Sequence, residues 1–139
     1  MVTPAQCQKK YGPPANNNKW LVMWNVPSEL HFLPIPKKIF LNKDLIKPLL
    51  GALENLIKRG FAHEMKTWDG CFNIRKMRGL QSMSLHSWAV AVDVNAESNG
   101  LGKMPSLSYG FVQCWKDAGF DWGGDWKRKD GMHFQLKTI

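Results

Sequence analysis

Seven aliphatic residues, Leu45, Ile46, Leu49, Leu50, Leu53, Leu56 and Ile57, recur at helical spacing between residues 43 and 59. That one-sided stripe constrains the rest of the chain, because such a helix is stable only when another element covers its apolar face. Asn42 or Asp44 can cap its start, Gly60 supplies a stop, and Pro48 is tolerable only near the first turn. A second helix fits residues 107–118, with Ser106 as its cap and Gly119 at its end. Leu107, Phe111, Cys114, Trp115 and Ala118 form its buried face.

Elsewhere the pattern is β-like. Residues 19–24 (KWLVMW) read as a short strand, and residues 37–42 (KKIFLN) as another strand or the lead into the first helix. Asp69-Gly70 is a strong hairpin signal between residues 64–68 and 71–77. Residues 88–94 (WAVAVDV) form an apolar run with β-branched members, and residues 133–137 (HFQLK) suit a last strand. Residues 1–18 read as a polar lead-in ending in turn-forming residues. The expected fold class is α+β: one domain, with two principal helices packed on a small, mainly antiparallel sheet.

Nineteen Lys and Arg against eleven Asp and Glu leave a net charge of +8. That balance favours a polyanionic partner: nucleic acid, an anionic membrane face or an acidic cell-wall polymer. The cations are scattered apart from short clusters such as Lys127-Arg128-Lys129, so no basic arm or helix of the DNA-binding kind is present. Cys7, Cys71 and Cys114 are odd in number and far apart, which argues against a disulfide framework, a zinc ribbon and a redox dithiol. The opening MVTPAQCQKKYGPP lacks the apolar core of a secretion signal, and no stretch reaches transmembrane length. Synthesis in the cytoplasm as a soluble chain is therefore expected.

Asp93 ends an otherwise apolar strand, and a carboxylate there needs a partner: a cation, an arginine or a set of backbone donors. His86 lies seven residues earlier, an odd offset that points to the opposite face of an uninterrupted strand. Both reach one point only if His86 sits in a loop or beyond a bend. A surface loop followed by a core strand is the competing reading. Near the other end, Asp130 stands three residues before His133, with Gly131 able to turn both inward. A catalytic zinc site needs three protein ligands and an open position. It also needs a nearby carboxylate that moves a proton. His86, Asp93 and His133 fill the first requirement and Asp130 the second. His31 and His63 read as ordinary polar or capping residues.

The segment RKMRGLQSMSLHSWAVAVDVN, followed by GFDWGGDWKRKDGMHFQL, resembles the zinc peptidases that cut peptidoglycan stem peptides. These are the D-alanyl-D-alanine carboxypeptidases and L-alanyl-D-glutamate endopeptidases, whose fold the hedgehog signalling domain shares. Their pattern of Arg, Ser-x-His-x6-Asp, and an acid before a last His falls here on Arg75, Ser84, His86, Asp93, Asp130 and His133. The resemblance spans roughly residues 39–137, which it marks as the peptidase core of a catalytic domain covering 1–139.

The resemblance implies a zinc ion on His86, Asp93 and His133, and Asp130 as the catalytic acid–base. It implies that Arg75 binds a substrate carboxylate or the oxyanion, and that Ser84 donates to substrate or to a ligand. Short members of this form are typically phage endolysins, made in the host cytoplasm without a signal peptide and acting on the wall after release. The implied substrate is bacterial peptidoglycan, the implied bond L-alanyl-D-glutamate or D-alanyl-D-alanine, and the expected state a monomer with no nucleic-acid partner. A metal-binding relative without peptidase activity and a basic nucleic-acid-binding protein are the competing classes. Two positions depart from the pattern: Ala89 stands where the family usually has Gly, and Gln135 replaces a later acid. Arg78 reads as a solvated cation, Asp125 as a histidine-orienting or plain turn acid, and Trp122 and Trp126 as groove wall or core.

Overall fold

The computed structural model describes residues 1–139 and shows an α+β architecture with three helices and two antiparallel sheets. The smaller sheet pairs β1 (Leu21–Asn25) with β2 (Lys38–Asn42), Trp24 standing opposite Ile39. The chain passes from β2 directly into α2 (Lys43–Lys58). Asn42 makes that junction: its side chain accepts from Asp44 N at 2.9 Å and donates to Trp88 O at 3.1 Å. One buried amide thus caps the helix and ties it to a distant loop.

Leu45, Leu49, Leu53 and Leu56 of α2 are fully buried. Each contributes about 2 kcal/mol through the apolar surface it removes from water. Pro48 sits in the second turn rather than the first, so the carbonyl of Asp44 lacks its usual helical donor.

The larger sheet runs β3 (Trp68–Gly70), β4 (Ala91–Val94), β6 (His133–Leu136) and β5 (Phe120–Trp122) in spatial order. The register sets Val92 opposite Phe134, Trp122 opposite Phe134, and Phe120 opposite Leu136. These residues share one face, which meets α3 (Tyr109–Lys116) through stacked aromatics: the Trp115 and Phe134 rings lie 4.6 Å apart and 21° from parallel. The opposite face carries Ala91, Asp93, His133 and Gln135. The period of two therefore puts the core on one side of β4–β6 and the polar cluster on the other.

Several expectations need correction. Residues 1–18 are not a mere lead-in: Pro4–Tyr11 form α1, closed by a reciprocal cap between Thr3 and Gln6. Cys7 and Tyr11, one helical turn apart, bury its inner side. Lys10 and the Tyr11 hydroxyl then reach Asp44 at 2.9 and 2.7 Å. The expected hairpin at Asp69-Gly70 does not form. Gly70 adopts φ +113° within β3, which pairs through a bulge with β4, and residues 71–77 contribute only the isolated bridge Lys76–Met83. The second helix begins later than expected, with Ser108 rather than Ser106 accepting from Phe111 N at 3.2 Å. Ser106 instead donates its backbone N–H to Asn99 Oδ1.

Candidate metal centre

The run from residue 88 to 94 is strand only from Ala91 onward. Leu85–Trp88 form a single 3-10 turn, capped by Ser84, whose hydroxyl oxygen accepts from His86 N at 3.2 Å. Ala89 then takes φ +54°, in the left-handed region, before the chain extends. This reversal resolves the odd His86–Asp93 spacing, because His86 precedes the bend and is free to turn toward the face on which Asp93 stands. It also accounts for glycine being the usual residue in the resembled pattern, since glycine enters that region without a steric cost.

Asp93 pairs with His133 across the β4–β6 ladder. His86 Nε2 lies 3.2 Å from Asp93 Oδ2, and His133 Nδ1 lies 3.4 Å from Asp93 Oδ1. The two imidazole rings stand nearly perpendicular with centroids 5.1 Å apart. One donor atom from each of the three side chains falls within 4.8 Å of the others. His86 and His133 are 3% and 7% exposed, so this cluster is closed off from most solvent.

The far side of each ring is held. His86 Nδ1 donates to Cys71 O at 3.1 Å, and His133 Nε2 donates to Gln135 Oε1 at 3.0 Å. Those bonds set complementary tautomers: the lone pair of His86 is left on Nε2 and that of His133 on Nδ1. Both face Asp93. His86 Nε2 and Asp93 Oδ1 are buried without a hydrogen-bond partner, and orphaned acceptors of this kind are costly unless a cation satisfies them. Two imidazoles and a carboxylate are a donor set suited to a divalent transition metal such as zinc. The residues present fit a metal ion.

Electrostatics follow from burial and proximity. When the two imidazoles are protonated instead of holding a metal, burial pushes the Asp93 carboxyl upward, but hydrogen bonding and charge from His133 and His86 outweigh it and hold Asp93 well below the usual carboxylate range. Asp130 goes the other way. Burial holds it above its ordinary value and the Asp93 charge adds to the rise, while His133, His86 and Arg75 oppose it. Its Oδ2 lies 4.0 Å from His133 Nδ1, and its Oδ1 is buried without a partner. The loop behind it is tight: Asp130 N donates to Gly123 O, and a Cβ on Gly123 would fall 2.3 Å from Asp130 O. Glycine at 123 is therefore required for Asp130 to approach the cluster.

Arg75 is half-buried at the edge of the same cluster. Its backbone is laced to the His86 turn by Ser84 N donating to Arg75 O and by both backbone groups bonding the Ser87 hydroxyl. Arg78 is exposed. Asp125 is also exposed and pairs with Lys116 at 2.6 Å, so it does not orient a histidine. Trp126 lies against His133, ring centroids 5.3 Å apart, whereas Trp122 stacks on Phe134 and donates to Gly131 O. His31 bonds the carbonyl of Val26 and His63 is exposed; neither approaches the centre. The supports that sequence reading missed are the Cys71 carbonyl and the Gln135 amide. A backbone carbonyl leaves no trace in side-chain identity, but a glutamine two residues after a ligand on the same strand face is a usable signal.

No curated protein and no solved structure matches this chain. Residues 78–136 match the family model described as D-alanyl-D-alanine carboxypeptidase. That span, less than half of the chain, holds Ser84, His86, Asp93, Asp130 and His133 and begins after Arg75, so the segment carrying the metal-type cluster is similar to a family of peptidases.

Proposed function

We propose that the protein is a zinc-dependent peptidase that hydrolyses peptidoglycan stem peptides, acting as a phage endolysin on the L-alanyl-D-glutamate bond. The observation that carries this reading is the convergence of His86 Nε2, Asp93 and His133 Nδ1, with a second carboxyl, the half-buried Asp130, 4.0 Å from His133. When bound by these three side chains, zinc supplies Lewis-acid polarisation of the scissile carbonyl and lowers the pKa of water toward about 7.

The remaining work belongs to the chain. Asp130, as the carboxylate, accepts the proton of the attacking water and returns it to the leaving amine; burial, which raises its affinity for a proton, suits it to that exchange. Arg75 presents a planar fork of donors suited to a substrate carboxylate or to the developing oxyanion. Ser84 holds the His86 turn through its cap, and Trp126 walls the cleft beside His133. The basic surface suits an anionic wall. Asp130 also argues against a metal-binding relative without peptidase activity, which has no use for a second carboxyl beside the cluster.

The match to the carboxypeptidase family favours one second reading, removal of a terminal D-alanine. Digestion of purified peptidoglycan, with the new termini identified by mass, separates the two. A new D-glutamate amino terminus supports the endopeptidase, and release of free D-alanine supports the carboxypeptidase. No new terminus of either kind, with zinc supplied, rejects both.

A further inference from the structure

Two loops without a single acid meet at the mouth of the centre. The first leaves at Arg75 and returns at Ser84. Ser84 N donates to Arg75 O at 2.9 Å, and Met77 N donates to Ser82 O at 2.8 Å. The second, residues 127–129, is bracketed by Trp126, packed on the His133 ring, and by Asp130 beside His133 Nδ1. Their tips approach one another: a Cβ on Gly79 would lie 4.0 Å from Nη2 of Arg128.

Together these adjoining loops carry Arg75, Lys76, Arg78, Lys127, Arg128 and Lys129, and neither residues 75–83 nor residues 126–129 contain an Asp or Glu. None of the six forms a salt bridge. Lys76 and Lys129 reach only neutral oxygens, of Gln81 and Gly124, and Arg78, Lys127 and Arg128 are exposed. The nearest acid in sequence outside the centre, Asp125, is engaged by Lys116. The charge of Arg75 acts on Asp130; the other five cations have no carboxylate partner and give this end of the molecule a positive potential. A ligand carrying several negative charges is drawn to that potential more strongly than a ligand with one.

We propose that this collar selects peptides bearing at least two free carboxylates beside the scissile bond, Arg78 and Arg128 gripping one that Arg75 does not. The inference rests on the peptidase reading of the centre and deepens it by naming the substrate class. Arg78 directly precedes Gly79, whose Cβ position lies 4.0 Å from Arg128 Nη2, so the two arginines come from different loops that meet there and a carboxylate bound at that junction would receive donors from both. A guanidinium fork matches a carboxylate better than an ammonium does. Amidation of the peptide's carboxyl groups removes the charge and leaves the shape, which makes the amide the natural control.

The test is fluorescence anisotropy with a labelled stem tetrapeptide and its fully amidated counterpart, zinc present, in the Asp130→Asn background to suppress turnover. The free acid should bind roughly tenfold more tightly than the amide near 0.15 M salt, the scale of two or three favourable rim charge pairs. Arg78→Glu/Arg128→Glu in the same background should abolish the preference while leaving zinc content and melting temperature unchanged. A preference that survives the double reversal, or that is absent before it, overturns the proposal. So does a preference for a phosphate-bearing wall polymer over the free-acid peptide. Cleavage is scored separately on peptidoglycan with the unsubstituted protein. Cleavage without the acid preference removes the collar and keeps the peptidase, whereas the acid preference without cleavage does the reverse.

Discussion

Asp93 and His133 stand opposite each other in the β4–β6 ladder, His133 Nδ1 3.4 Å from Asp93 Oδ1, while His86 Nε2 approaches the other oxygen of the same carboxylate at 3.2 Å. One carboxylate thus has an imidazole nitrogen beside each of its oxygens. Two of the three donors are fixed by a single strand register, and only His86 depends on a loop.

That division predicts how the variants behave. His133→Ala should abolish both metal binding and activity, because it removes a donor that the ladder holds in place. Asp130→Asn should retain about one zinc per chain and still lose roughly 10²–10⁴-fold in kcat, the usual share of a positioned acid–base group. Metal analysis beside turnover on peptidoglycan checks both. Near-normal cleavage by zinc-loaded Asp130→Asn would reject the assigned role.

Arg75→Ala should fold normally yet lose far more kcat/KM than Arg78→Ala. Arg75 is half-buried and laced to the His86 turn, whereas Arg78 is exposed on the loop tip. Arg75→Lys should recover only part of the loss, since an ammonium lacks the planar fork. Equal losses from the two alanine variants would count against this assignment.

Gln135 accepts from His133 Nε2 and so leaves Nδ1 free to face Asp93. Gln135→Leu should weaken zinc affinity by roughly ten- to a hundredfold, the usual effect of removing such a partner. Competition with a chromogenic chelator measures it, and nitrogen-15 shifts of the His133 ring should show a mixed tautomer. An unchanged affinity with an unchanged tautomer would show that the register alone orients the ring.

Ala89 is fully buried at φ +54°. Ala89→Gly should change stability by less than about 1 kcal/mol, as relief of the left-handed backbone offsets the entropy glycine loses on folding. Ala89→Val should cost about 2–3 kcal/mol and lower zinc occupancy, because a β-branched residue resists that conformation and crowds a closed site. Thermal melts with and without zinc distinguish the two.

Burial opposes ionisation of Asp44, but hydrogen bonds from Lys10 and Tyr11 outweigh it and hold the carboxyl below its ordinary value of 3.8. A depressed acid contributes stability that is fully present above the unfolded value and disappears as pH falls through the folded one. The wild type should therefore lose urea resistance below about pH 4 more steeply than Asp44→Asn. Parallel curves would show that α1 docks without help from this charge.

Periodicity was enough to place α2, because a one-sided apolar stripe has few ways to be buried, and the short apolar runs suggested β1 and β6; residues 37–42, left open between strand and helix lead-in, form β2 and pass directly into α2. The grouping of His86, Asp93 and His133 was expected from residue type and above all from the family resemblance, the His86–Asp93 spacing being a weak pattern alone, and the three do come together in the fold. What sequence alone left open was how an odd spacing could converge, and the answer lies in the left-handed backbone at Ala89. Three other features depended on distant partners. Pro4–Tyr11 became a helix because Asp44 and the core receive Tyr11 and Cys7. Asp69-Gly70 became a bulge because β4 offered a ladder where a hairpin partner was lacking. The ring tautomers were decided by a carbonyl and an amide that only folding brings to His86 and His133. Local pattern determined which segments must be buried and which side chains can bind metal; long-range hydrogen bonds, whose partners lie far apart in sequence, decided where those side chains point.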